Sequence, residues 1–256
     1  MPFRQYVNFF GTTTPFYGVC VGLGLLAMGI WMLHGFKVFK MNGDEQNAFL
    51  FRFPFMVLFG VFVAFALDAL FTGDWRTWSG PMAGRRLGFT FTGWLLGVLV
   101  FLGVFGAHAP FGRLFMLNFF LPSFALAQAF GRVGCFLSGC CYGCPSSFGV
   151  HYPVGSLPHS IVGDIPLLPV QLYEAGALAV LFFVCVKCDF RFRAVAYLVG
   201  VALIRFVVEF FRYDVRGDFF GFPALSPQQY LSIGFAALAG VILFVARRQK
   251  MILIVQ

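Results

Sequence analysis

Residues 131–143 read Gly131-Arg132-Val133-Gly134-Cys135-Phe136-Leu137-Ser138-Gly139-Cys140-Cys141-Tyr142-Gly143. The stretch ends an apolar run and sets one obligatory cation among four glycines and three thiols. A guanidinium stays charged at physiological pH, so Arg132 in apolar surroundings needs an anion. Glycines let the backbone come close to a ligand or to another helix. The segment therefore reads as the end of a spanning helix that turns into a site.

Working outward, 60% of the residues are apolar and 11% are charged, which excludes an ordinary soluble domain. A helix that crosses a bilayer needs ~20 mostly apolar residues. Apolar runs near 14–34, 53–72, 88–107, 114–131, 173–187, 194–212 and 229–247 predict seven spans. The fold class expected is an all-α polytopic membrane protein, one integral-membrane domain over 1–256. Met1 to Thr14 is polar-aromatic with no small-residue cleavage site, so no cleaved signal is expected.

The net charge of +8 is scattered between spans rather than gathered in a basic domain, so nucleic acid is not an expected partner. Clusters at Lys37, Lys40 and Arg52, at Lys187, Arg191 and Arg193, and at Arg247, Arg248 and Lys250 fall on one side of a seven-span chain. Arg76, Arg85 and Arg86 fall on the other. The bias favours an outside N-terminus and a cytoplasmic C-terminus. The 38 phenylalanines read as lipid-facing or packing residues without chemistry.

Alternating spans bring particular ends to one face. Tyr17 opens span one; Arg85, Arg86, Thr90 and Thr92 open span three; the 131–143 segment closes span four. Gln171, Tyr173 and Glu174 open span five, Arg205, Glu209 and Arg212 close span six, and Ser226, Gln229 and Ser232 open span seven. All of these ends fall at the outer face. Polar groups are costly in lipid, so their convergence predicts a site. The proline-rich loop from about 132 to 172 reads as an ordered cap over it.

Arg205, Glu209 and Arg212 are spaced by four and three, so they share one helix face. Arg205 and Glu209 fit two readings: a structural ion pair, or a phosphate ligand oriented by its carboxylate. Arg132 would be the second phosphate ligand, since planar guanidinium forks grip phosphate bidentately. Glu174 fits either a site role or an interfacial position reaching for water. Asp68 in span two is an acid that Arg85 or Arg86 could pair. The spacings Cys135-x4-Cys140 and Cys141-x2-Cys144 fit a metal site helped by His151 or His159, a disulfide on an oxidising face, or packing around one reactive thiol. Cys185 and Cys188 read as packing.

These motifs resemble the prolipoprotein diacylglyceryl transferase family, whose signature runs G-R-x-G-N-F-x-N-G-E-x-x-G. The resemblance also rests on Tyr17-Gly18, Pro169-x-Gln171-Leu172-Tyr173-Glu174, Arg205 to Arg212, and Ser226-x2-Gln229-x2-Ser232. It implies a transferase of the bacterial inner membrane that takes the diacylglyceryl group of phosphatidylglycerol. The group goes to the thiol of a lipobox cysteine in a prolipoprotein signal peptide, and glycerol phosphate leaves. The partners implied are that phospholipid, that peptide and the membrane. No cofactor and no metal are expected. The candidate substrate- and phosphate-binding residues are Tyr17, Arg132, Gly143, Gln171, Tyr173, Glu174, Arg205, Arg212 and Gln229.

The chain departs from the family at the chemistry. Thr92-Gly93-Trp94 stands where the family has His-Gly-Gly, and Asn118 where it has Asp. Cys135 and Cys140 replace its Asn and Glu. A hydroxyl is no base at neutral pH, whereas a thiol beside a fixed guanidinium is drawn toward thiolate. Cys135 and Cys140 therefore join Arg132, Arg205 and Glu209 as candidate catalytic residues. A different acceptor, or lipid binding without catalysis, is the alternative function.

Overall fold

The computed structural model describes residues 6–9, 12–72, 91–106, 111–213 and 225–248, without the side chains of 6–9, 12–15 and 68–72. Arg76, Arg85, Arg86, Thr90, His108 and the Asp68 side chain lie outside the described residues.

A short antiparallel pair, β1 (Tyr6–Phe9) and β2 (Thr12–Pro15), leads into α1 (Phe16–Val38). There follow α2 (Gly43–Thr72), α3 (Phe91–Phe105) and α4 (Gly112–Leu137), then β3 (Pro145–Val150) and the short α5 (Leu157–Val162). The chain ends in α6 (Val170–Lys187), α7 (Arg193–Val208) and α8 (Pro227–Arg248). Six spans are long and apolar enough to cross a membrane, α7 counting with the 3-10 turns that flank it (Phe190–Phe211), and the apolar α3 is shorter at 15 residues. The protein is an all-α polytopic membrane protein, as the apolar runs predict.

Several helix bounds differ from the hydropathy reading. The α4 helix runs on to Leu137 and α6 begins at Val170, which shortens the expected 132–172 loop. Two other bounds have clear local reasons. α2 starts at Gly43, ten residues before the apolar run, because Asn42 and Glu45 form a reciprocal cap. The Asn42 N–H donates to Glu45 Oε2 at 2.8 Å and the Glu45 N–H to Asn42 Oδ1 at 2.9 Å. α7 ends at Val208 and tightens into a 3-10 turn over Glu209–Phe211, leaving Arg212 in extended backbone. Arg205, Glu209 and Arg212 are thus not on one continuous helical face.

Helix pairs touch where side chains are small, as packing in lipid requires. A Cβ on Gly24 of α1 would lie 3.0 Å from the Ala127 carbonyl of α4, and one on Gly97 of α3 would lie 2.8 Å from Gly60 Cα of α2. Phenylalanines fill the end of the bundle away from Arg132 and Arg205: Phe36, Phe39, Phe49, Phe115, Phe119 and Phe190 interlock with centroids 4.8 to 6.4 Å apart. At that end buried Asn118 joins α4 to α7, accepting from the Ala194 N–H at 2.8 Å and donating to the Leu114 carbonyl at 2.8 Å. It satisfies one of the orphan donors of the α7 N-terminus.

Residues 138–169 form an ordered cap. β3 lies along the return strand through bridges from Pro145 and Val150 to Leu167, with Ser146 N–H on the Pro166 carbonyl at 3.0 Å. Tyr142, Tyr152 and Leu167 make a small apolar core of their own beneath it.

Candidate functional site

Glu174 is the hub. It sits in the first turns of α6 with 1% of its surface exposed, so it does not reach for water as an interfacial residue would. Arg132 from α4 brings Nε to its Oε2 at 3.0 Å. Arg205 from α7 donates Nη1 to Oε1 and Oε2 at 2.9 and 3.0 Å. Glu209 stands further off, 3.7 Å from Arg205 Nη2. The carboxylate that orients Arg205 is therefore Glu174 rather than its helical neighbour. Three helices hold this cluster, and burial strengthens each contact while making an unpaired charge costly.

The cysteines are gathered by the way α4 stops. Gly139 takes φ +67, its N–H donates to the Phe136 carbonyl at 3.0 Å, and the Cys140 N–H donates to the Cys135 carbonyl at 3.1 Å. This is a Schellman cap, in which the side chains three residues before the cap and two after it meet. Those two positions here are Cys135 and Cys140. Cys141 then also turns left-handed, at φ +61, and swings in the third thiol. The sulfurs of Cys135, Cys140 and Cys141 lie within 4.8 Å of one another. Arg132 Nη1 is 4.0 Å from Cys135 Sγ. Hydrogen bonds from the Cys135 and Cys140 thiols, backed by the charges of Arg212 and Arg132, hold the Cys141 thiol well below its ordinary range. The same contacts push the Cys140 thiol up.

The cap is sewn to the end of α7. Gly143 bridges Arg212, the Cys144 N–H donates to the Phe211 carbonyl at 2.9 Å, and the Tyr213 N–H donates to the Tyr142 carbonyl at 3.2 Å. Glycine is required at 143 by close approach: a Cβ there would lie 2.6 Å from Val170 Cγ1 and 2.8 Å from the Phe211 carbonyl. Gln171 on α6 donates to the Cys140 carbonyl at 2.7 Å and to Tyr152 Oη at 3.1 Å, fixing the thiol turn from the other side. Tyr17 of α1 packs over the α4 end, its Cδ2 3.2 Å from where a Cβ on Gly134 would be.

Other predicted residues go elsewhere. Tyr173 is 55% exposed on the outside of α6. Gln229 turns back to cap α8: Ser226 N–H donates to its Oε1 at 3.0 Å while its own N–H donates to Ser226 Oγ at 3.3 Å. Thr92 donates its hydroxyl to Gln228 Oε1 of α8. His151 pairs with Asp164 at 2.8 Å on the exposed side of the cap and is not among the gathered thiols.

One residue escaped the sequence reading. Gln128, one helical turn before Arg132, is 2% exposed, and neither its amide nitrogen nor its oxygen has a hydrogen-bond partner among the described residues. A spacing of four residues puts it on the Arg132 face of α4. That spacing was the available signal.

Comparison with known proteins matches residues 5–246 to the family described as prolipoprotein diacylglyceryl transferase. The chain is 28% identical over 252 residues to the phosphatidylglycerol–prolipoprotein diacylglyceryl transferase 2 of Clostridium perfringens, covering 94% of each chain. It is 28% identical over 242 residues to the Clostridium tetani transferase, covering 92% of this chain and 94% of that one. With the Legionella pneumophila (strain Corby) transferase it shares 29% over 254 residues, covering 91% and 92%.

Proposed function

The chain belongs to the prolipoprotein diacylglyceryl transferase family, and from that membership we propose that it moves the diacylglyceryl group of phosphatidylglycerol to a prolipoprotein cysteine. The acceptor sulfur attacks the glycerol carbon that carries the phosphate ester. A carbon–sulfur bond forms, the carbon–oxygen bond breaks, and its electron pair leaves on the phosphate oxygen as glycerol phosphate. We place the site end of the bundle at the outer face of a bacterial inner membrane, with the N-terminus outside.

One observation carries this reading: Arg132 and Arg205, buried cations from two different helices, are both oriented by the single carboxylate of Glu174. A phosphodiester carries one negative charge and suits two guanidiniums so held. The departing phosphate monoester gains more, so the fixed cations favour the transition state over the ground state. Glu174 orients both Arg132 and Arg205, while Gln128 offers an amide to the headgroup one turn deeper.

The test uses purified protein, vesicles of labelled phosphatidylglycerol, and a lipobox peptide. The expected result is a diacylglyceryl adduct on the peptide cysteine with equimolar glycerol phosphate. Glycerol phosphate released without an adduct points to another acceptor. Labelled lipid left intact at every peptide concentration overturns the enzymatic reading.

A further inference from the structure

We propose that Cys135, Cys140 and Cys141 form a three-thiolate zinc site whose open fourth position binds the acceptor thiol and holds it as thiolate. The inference rests on the transfer reaction proposed above and supplies what that reaction lacks. No histidine stands in α3, and the Thr92 hydroxyl at its start is engaged with Gln228. Of the two carboxylates at the described site, Glu174 is committed to Arg132 and Arg205, and Glu209 stands 3.7 Å from Arg205 Nη2.

The geometry fits. Zinc binds thiolates at ~2.3 Å, and tetrahedral angles then put sulfurs about 3.8 Å apart. The three sulfurs lie within 4.8 Å of one another, so each needs to move by less than ~1 Å to meet one ion. Ligation by a helix-end residue and two residues of a tight turn is set by backbone: the Schellman cap joins Cys135 to Cys140, and the left-handed Cys141 closes the triangle. Cys135 is buried, whereas Cys140 and Cys141 are partly exposed, so one side of the triangle is closed by protein and the other is open to a fourth ligand. Catalytic zinc sites have three protein ligands and such a position. A zinc tris-thiolate carries a charge of about −1, and Arg132 stands 4.0 Å from Cys135 to offset it.

A thiol bound to zinc is deprotonated outright, so no general base is required. Its proton passes to solvent on coordination. The bound sulfur then attacks the glycerol carbon beside Arg132, the ester oxygen departs with its electron pair, and the neutral thioether dissociates. Zinc keeps its oxidation state and the three cysteines are unchanged.

The test uses full-length protein in detergent, reduced, stripped with a chelator and titrated with Co2+ as a spectroscopic stand-in for Zn2+. About one equivalent should bind with intense thiolate-to-cobalt charge-transfer absorption. Cys135→Ser, Cys140→Ser and Cys141→Ser should each weaken or abolish the band in protein whose thermal transition shows it folded, and Cys188→Ser should not. A lipobox peptide should shift the cobalt d–d bands, and its Cys→Ser version should leave them unchanged. No band in folded wild type, or a band that survives Cys140→Ser unaltered, overturns the site; a band indifferent to the peptide thiol overturns its role. Undiminished transfer by metal-free protein overturns the inference and leaves the transferase reading intact. A peptide-sensitive band without any lipid product keeps the site and removes the transferase reading.

Discussion

Arg205 rests its Nη1 on both carboxylate oxygens of Glu174, at 2.9 and 3.0 Å, across the interface between α7 and α6. Its helical neighbour Glu209 is 3.7 Å from Nη2. The tight partner of Arg205 is thus 31 residues away in sequence.

The asymmetry predicts unequal carboxylate variants. Glu174→Gln leaves two buried guanidiniums without their shared partner, which costs about 3–5 kcal/mol when a buried pair is broken. Glu209→Gln should cost about 1 kcal/mol, the scale of one modest hydrogen bond. Unfolding of both variants in detergent by a denaturant series measures the difference; equal costs would make Glu209 as much an anchor as Glu174.

Arg132→Ala and Arg205→Ala should each lower phospholipid turnover by about 10²–10³, the typical loss when one donor to developing charge is removed. Arg205→Lys should also lose turnover: one ammonium can replace Nη1 on Glu174 but leaves no second nitrogen to offer the phosphate. Single-turnover release of glycerol phosphate reads both, and a lysine variant with wild-type rate would show that only the charge matters.

The motif glycines should differ sharply. Nothing lies within 4 Å of a Cβ at Gly131, so Gly131→Ala should be neutral or stabilise α4 by up to about 1 kcal/mol. Gly143→Ala drives a Cβ into Val170 and the Phe211 carbonyl and should cost at least about 1–3 kcal/mol, the scale of overpacking. Melting temperatures of the two variants, compared in one detergent, decide the matter.

Gln128→Leu should separate stability from binding. Removing a buried amide that lacks partners among the described residues is expected to stabilise the protein by about 1–3 kcal/mol, its desolvation penalty. If the amide serves the headgroup, the same variant should raise KM for phosphatidylglycerol several-fold while kcat changes less. An unchanged KM would leave Gln128 a packing residue.

The helices were legible because apolar runs in lipid admit few alternatives. The start of α2 was not, because Asn42 and Glu45 look like loop charge until their spacing is read as a cap. Arg132 and Arg205 stood out as cations in apolar segments. Glu174 stayed ambiguous, since a carboxylate near a span end can face water or the bundle, and only the neighbouring helices decide. Tyr173 and Gln229 share motifs with site residues, yet one turns outward from α6 and the other is used to start α8. The meeting of Cys135 with Cys140 follows from one left-handed glycine between them, a local signal available in the sequence.

The seam between 142–144 and 211–213 has a genetic consequence. Its two edges are encoded about seventy codons apart, yet Cys144 and Phe211, like Tyr142 and Tyr213, must match rung for rung. A chimaera with a relative sharing 28% identity inherits both edges from one parent only if the crossover falls before 142 or after 213. Any breakpoint inside that interval mates edges of different ancestry, and shuffled libraries should show survivors depleted there.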